Sequence, residues 1–131
     1  MTGCWRDLPA IYDEVVAAIN AVPGTLAGSA HQSHAYVDGA CLYFSLRGDV
    51  DVEKRAEWYR AAWDAANAVL IKYGAALSHH HGVGLLRAPY MKDALGSAFP
   101  LLETVKKALD PDNLLNPGKL GLSLDMPRDG K

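Results

Sequence analysis

Apolar residues recur every three or four positions between residues 6 and 21, at Ile11, Val15, Ala18 and Ile19, with the acids Asp13 and Glu14 between them. That spacing predicts one amphipathic helix, stopped by Pro23-Gly24. Residues 25 to 37 mix Thr, Leu, Ser, His and Tyr with no helical period, and read as an extended segment running into an Asp38-Gly39 turn. Beyond the turn the period becomes two, because Ala40, Leu42, Phe44 and Leu46 alternate with Cys41, Tyr43, Ser45 and Arg47. A strand with one apolar face and one chemically equipped face is expected, paired antiparallel with the preceding segment and closed at Gly48.

The strongest helical pattern follows, with Val52, Ala56, Tyr59, Trp63, Ala66, Leu70 and Tyr73 alternately four and three apart. Asp51 is placed to cap its start and Gly74 to stop it, and the aromatic stripe is expected to pack in the core. Ala75-Ala76-Leu77-Ser78 is a short apolar run, read as a strand that delivers His79-His80-His81 to a loop loosened by Gly82 and Gly84. Pro89 suits the start of a short helix ending at Gly96, and Ser97 the cap of another with Leu101, Leu102, Val105 and Leu109 on one face. Asp110-Pro111-Asp112-Asn113 and Asn116-Pro117-Gly118 read as turns. The fold class expected is α+β, a small antiparallel sheet flanked by helices with a C-terminal helical return. One domain over residues 1–124 is expected, with a frayed tail at 125–131.

Half of the 131 residues are hydrophobic and 21% charged, enough for one modest core. A net charge of -2 gives no reason to expect nucleic acid or an anionic membrane surface as a partner. No segment approaches the ~20 apolar residues needed to span a bilayer, and charge arrives early at Arg6 and Asp7, so a cytoplasmic protein is expected. Cys4 and Cys41 are too few for a disulfide framework and lack CxxC spacing; Cys41 reads as a small apolar filler.

The histidine triplet is the site candidate. On a strand His79 and His81 would share one face and His80 the other, so at most two could reach one metal, with His31 or His34 as a further ligand. The chain has no HExxH, no CxxC and no carboxylate near the triplet, so no metal is expected. An acid–base or phosphate-binding role remains, since imidazole titrates near neutrality; a solvated polar edge is the alternative. Tyr43 shares its strand face with Ser45 and Arg47. A phenol titrates near pH 10 in water, so acid–base work at neutral pH calls for positive charge from Arg47 or a protonated histidine. His81-Gly82-Val83-Gly84 lacks the third glycine and the register of a dinucleotide loop. No GxSxG, Walker or basic-aromatic pattern supports a hydrolase, a triphosphatase or a nucleic-acid binder.

Three strings, in order, carry a resemblance. Ser33-His34-Ala35-Tyr36-Val37-Asp38-Gly39-Ala40-Cys41-Leu42-Tyr43-Phe44 resembles the catalytic-tyrosine strand of the alkyldihydroxyacetonephosphate synthases, and Ser78-His79-His80-His81-Gly82-Val83-Gly84 resembles their histidine triplet. Leu109 to Lys119, through Asp110-Pro111 and Asn116-Pro117-Gly118-Lys119, is similar to the end of the wider FAD-linked oxidase family, which includes glycolate oxidase and D-lactate dehydrogenase. The likeness runs from about Arg6 to Leu122. It implies the later part of a cap domain in an FAD-dependent enzyme, with most of the FAD held by an N-terminal domain or subunit outside this chain.

By that resemblance Tyr43 is the proton donor and acceptor, while His79, His80 and His81 orient a small-molecule substrate and its phosphate. Arg47 is a substrate-binding candidate and Asn116 a cofactor-binding one. The activity implied is exchange of an acyl for an alkyl group on dihydroxyacetone phosphate, a step of ether lipid synthesis, with no net redox change at the flavin. Relatives that oxidise 2-hydroxy acids usually show Gly-Glu-His-Gly at the triplet, yet this chain keeps the Asn-Pro-Gly-Lys ending that the synthase preserves poorly. A 2-hydroxy acid oxidase or dehydrogenase, with His81 as its base, therefore stays open, as does a non-catalytic partner-binding module. The isolated chain is expected to be inactive and to self-associate through apolar surface that its neighbours would cover.

Overall fold

In the computed structural model, which describes residues 1–122, the sheet is built from β1 (Thr2–Cys4), β2 (Thr25–Ala35) and β3 (Gly39–Gly48). All pairings are antiparallel and the order is β1-β3-β2. With helices on one side of this sheet the class is α+β, as the alternation and helical periods predict. The tail expected at 125–131 lies outside the described residues. Two compact units form, Met1–Gly82 and a second beginning at Val83, where the sequence reading took 1–124 as one domain.

Helix α1 (Leu8–Asn20) buries Leu8, Ile11, Val15 and Ile19 and packs on β2 and β3. The buried side of β3 is Ala40, Leu42 and Phe44, the apolar half of its alternation. Each large aliphatic side chain so buried contributes about 1.5–3 kcal/mol. Helix and strand come close because Gly28 has no side chain: a Cβ there would sit 2.9 Å from Ile19 Cγ2. The Gly28 N–H donates to Asn20 Oδ1 at 2.7 Å, which ties the end of α1 to the sheet.

Helix α2 (Arg55–Lys72), entered through a 3-10 turn at Val52–Lys54, packs on α1 and corrects the expected core stripe. Its buried residues are Ala62, Ala66, Asn67 and Leu70, whereas Tyr59 is 42% and Val52 68% exposed. Alanines let the two helices approach closely, so the small-residue side turns inward, Tyr59 stays outside, and Trp63 and Tyr73 are only half-buried. Trp58 instead folds over Gly48, where any side chain would collide with its ring, and donates Nε1–H to Thr25 Oγ1 at 3.0 Å. Asp51 makes no capping bond, while Gly74 does end the helix at φ +61°. Lys72 Nζ and the Tyr73 O–H both donate to the Glu14 carboxylate, which joins α1 to the end of α2. Those bonds hold the Glu14 carboxyl below its ordinary range, the lysine contributing most.

Strand β1 was not foreseen, because three residues carry no periodic signal. It exists because Gly39 is bare: a side chain there would collide with the Gly3 carbonyl oxygen. The strand expected over 75–78 is a single bridge, with Thr2 and Ala76 exchanging N–H···O bonds of 3.1 and 2.9 Å. The histidines that follow lie on bends rather than on a strand.

The second unit carries α3 (Gly84–Arg87), α4 (Met91–Leu95) and α5 (Phe99–Leu109), joined by 3-10 turns. Ala98, rather than Ser97, occupies the cap position of α5, and Pro100 sits in its first turn. Asp110, 7% exposed, closes the segment after α5. Its carboxylate accepts the N–H groups of Leu114 and Leu115 at 2.8 and 2.9 Å and pairs with Lys106 Nζ. The ammonium and those N–H groups outweigh desolvation and hold the Asp110 carboxyl below its ordinary range. Among the described residues no helix is long and apolar enough to cross a membrane.

Candidate active site

The face of the sheet away from α1 collects the chemistry. Register sets Tyr43 opposite His31, Ser45 opposite Ser29, and Cys41 between His34 and Thr2. His31 and His34 are three residues apart, and in a regular strand they would point to opposite faces. A register shift between Gln32 and His34 leaves Ser33 as an extra residue, so both histidines reach the same face. Ser33 Oγ also hydrogen-bonds His34 Nδ1 at 2.9 Å.

The bend over 79–81 brings the triplet onto that face. The Tyr43 ring stacks on His31 with centroids 5.1 Å apart and meets the edge of His81 at 5.0 Å. His80 lies 4.2 Å from His81 and 5.0 Å from His79, and His34 lies 4.8 Å from His79. The alternation expected of a strand is thus corrected: three consecutive rings form one continuous cluster, because successive bends do not alternate faces. Desolvation first, and then the charges of His81, His79, His34 and the N-terminal ammonium, hold the His80 imidazole below its ordinary range.

Position follows from β1. Its bridge to Ala76 anchors the segment before the triplet, and on its other side the Met1 carbonyl accepts the Leu42 N–H at 3.0 Å. The strand is therefore a strut that sets the distance between β3, which carries Tyr43, and the histidines. Tyr36, in the hairpin turn, hydrogen-bonds His79 Nε2 through its hydroxyl at 2.7 Å. Tyr36 and His79 also line a cleft of about 410 Å³ with Cys4, Asp38 and Tyr73.

Tyr43, His79, His80 and His81 are therefore brought together. Arg47 lies four residues along β3 from Tyr43, about 13 Å at the strand's rise, on the same face but at its far end. Asn116 belongs to the second unit, where it takes a left-handed backbone with φ 48° and its carbonyl accepts the Lys119 N–H at 3.3 Å. The sequence reading missed Tyr36 as a member of the cluster, named His31 and His34 only as possible metal ligands beside the triplet, and took Cys41 as filler. Cys41, 1% exposed, offers its sulfur with His34 and His79 nitrogens, all within 4.8 Å of one another. A tetrahedral zinc holds its ligand atoms about 3.4 Å apart, so this trio would have to contract to hold one.

Open O–H and N–H groups on Tyr43, His80 and His81 suit the polar edge of a flavin or an anionic substrate, and the buried Ser78 Oγ has no partner of its own. Residues 3–120 match the family described as FAD linked oxidases, C-terminal domain. Over 120 residues the chain is 36% identical to an alkyldihydroxyacetonephosphate synthase of Trypanosoma brucei brucei, covering 89% of this chain and 19% of that protein. An FAD-linked oxidoreductase, YgcU, of Escherichia coli is 33% identical over 129 residues, 92% of this chain and 26% of its own length. A D-2-hydroxyglutarate dehydrogenase of Pseudomonas putida is 34% identical over 93 residues, 71% of this chain and 9% of its own length. The chain thus spans about a fifth of the synthase's length.

Proposed function

Because the chain belongs to the family of FAD linked oxidases, C-terminal domain, we propose that it is the substrate-binding part of a larger FAD-dependent enzyme that exchanges an acyl for an alkyl group on dihydroxyacetone phosphate. The observation that carries this reading is the contact of Tyr43 with His81 on an open face, with His79 and His80 alongside. When bound, FAD supplies redox and electron-sink chemistry at its ring. Tyr43 Oη moves the proton at the substrate carbon, and His31 stacked on its ring fixes the direction of the hydroxyl. His80 and His81 bring N–H donors to the phosphate oxygens, while His79 stands behind them with both ring nitrogens engaged, by Tyr36 and by His80. The rest of the FAD site, in a domain or subunit outside this chain, is the expected partner. A reducing, cytoplasmic setting goes with this reading, since Cys4 and Cys41 are both free thiols.

A second reading is favoured by the similarity to the D-2-hydroxyglutarate dehydrogenase: the same pocket would oxidise a 2-hydroxy acid, with His81 taking the hydroxyl proton. An anaerobic flavoprotein carrying this domain separates the two. Acyl dihydroxyacetone phosphate with a fatty alcohol should release fatty acid without lasting loss of flavin colour, whereas lasting bleaching by D-lactate or glycolate would sink the synthase reading. Tyr43→Phe and His81→Ala should each lower turnover by about 10²-fold in that protein, and near-normal rates would return both to scaffold.

A further inference from the structure

Tyr36, His79 and His80 form a chain of hydrogen bonds with one free end. The Tyr36 hydroxyl lies 2.7 Å from His79 Nε2, and His79 Nδ1 lies 2.8 Å from His80 Nδ1. A contact between two ring nitrogens at that distance holds a single proton, so one ring donates and the other accepts. The tyrosine decides the direction. A phenol hydroxyl donates well and its aromatic oxygen accepts poorly, so Tyr36 gives its proton to His79 Nε2. His79 then carries its own proton on Nδ1 and donates it to the lone pair of His80 Nδ1. What remains to His80 is a proton on Nε2, on an exposed ring.

We propose that Tyr36 is a positioning residue that, through His79, fixes His80 in the Nε2–H tautomer and so presents an uncharged N–H donor to an oxygen of the bound substrate. The word substrate rests on the functional reading above; the tautomer does not. Tyr36 is itself held in place: its N–H donates to the Gly39 carbonyl at 2.8 Å, and its carbonyl accepts the Trp5 indole N–H at 2.9 Å. A neutral His80 also suits its surroundings, since desolvation first, and then His81, His79, His34 and the N-terminal ammonium, disfavour a positive charge there. His34 Nδ1 is already engaged by Ser33 Oγ. The pocket thereby gains an oxygen-binding N–H that does not depend on protonating His80. The donor can meet a phosphate or a carboxylate oxygen, so the device serves either activity.

The test uses the 131-residue chain labelled with 15N-histidine, without flavin or substrate, at a pH where the rings are neutral. Long-range nitrogen–proton correlations should give the Nδ1–H tautomer for His79 and the Nε2–H tautomer for His80. Tyr36→Phe keeps the ring and removes only the donor, and should weaken the bias of His79 by about fivefold, the effect of one net hydrogen bond, and mix the tautomers of His80. Finding His80 protonated on Nδ1 in the unsubstituted chain would overturn the proposal without any variant. Unchanged tautomers in a folded Tyr36→Phe chain would overturn it as well. Neither measurement involves turnover, so the flavin experiments can fail while this relay stands, and the reverse.

Discussion

Substituting Gly39 with alanine tests whether β1 is the strut that sets the histidines against Tyr43. The added methyl would be driven into the Gly3 carbonyl oxygen, which is backbone and cannot swing away, so β1 itself must move off β3. Outside the β1–β3 ladder itself, five bonds depend on its position: the reciprocal pair between Met1 and Leu42, Trp5 N–H to Asp38, and the reciprocal pair between Thr2 and Ala76. At about 1 kcal/mol net for each, losing all five costs about 5 kcal/mol, and a shift that spares about half of them about 2–3 kcal/mol. Against a typical stability of about 5–15 kcal/mol, the first unit should still fold, because α1, α2 and the β2–β3 hairpin do not pass through Gly3. Urea unfolding followed by far-ultraviolet circular dichroism reads the loss. Hydrogen exchange of the Ala76 N–H reads its origin, and should accelerate far more than exchange in the middle of α1. A cost below about 0.5 kcal/mol with unchanged Ala76 exchange would refute the strut, since the predicted collision leaves β1 nowhere to stay.

Two further outcomes follow from packing and charge. Leu70→Ala, at a 1% exposed position on α2, should destabilise the first unit by about 2–5 kcal/mol in urea titrations, whereas Tyr59→Ala on the exposed stripe should cost much less. Asp110→Asn should loosen the segment after α5, and the loss should depend on pH. The folded carboxyl is depressed, so its contribution is complete above the unfolded carboxyl range and disappears as pH falls through the folded value. Hydrogen exchange at Leu114 and Leu115 should therefore differ between the two proteins at pH 7 and converge in strong acid; an equal difference at both would refute the pairing.

The hairpin and its reactive side were legible because alternation over eight residues admits only one reading, with Tyr43 on the side opposite Leu42 and Phe44. Helix α1 was legible for the same reason at its own period. The orientation of α2 was not: two stripes overlap on it, and alanine carries little hydropathic signal although it permits the closest helix contact. The site was legible as letters and not as an arrangement. Periodicity has no reach over the 43 positions that separate Tyr36 from His79, which meet because a three-residue strand links β3 to Ala76. Cys41 looked like filler because burial and reactivity are not distinguished by type; its partners are set by register. One signal was available: His31 and His34 flank the polar pair Gln32-Ser33 a few residues before the Asp38-Gly39 turn, a place where an irregular strand is unsurprising.

The irregularity at Ser33 has a consequence for length. In the arithmetic of the ladder that residue counts as zero: Gln32 pairs with Leu42 and His34 with Cys41 whether or not anything lies between them. A chain one residue shorter at this point would keep His31 over Tyr43 and His34 over Cys41, losing only the kink and the hydroxyl that holds the His34 ring. Shortening the strand by one residue nearer its start, between His31 and Thr25, would leave both histidines in place and shift the Ala27–Arg47 end instead. The two ends of one face can therefore change independently, by single deletions, without a substitution in either.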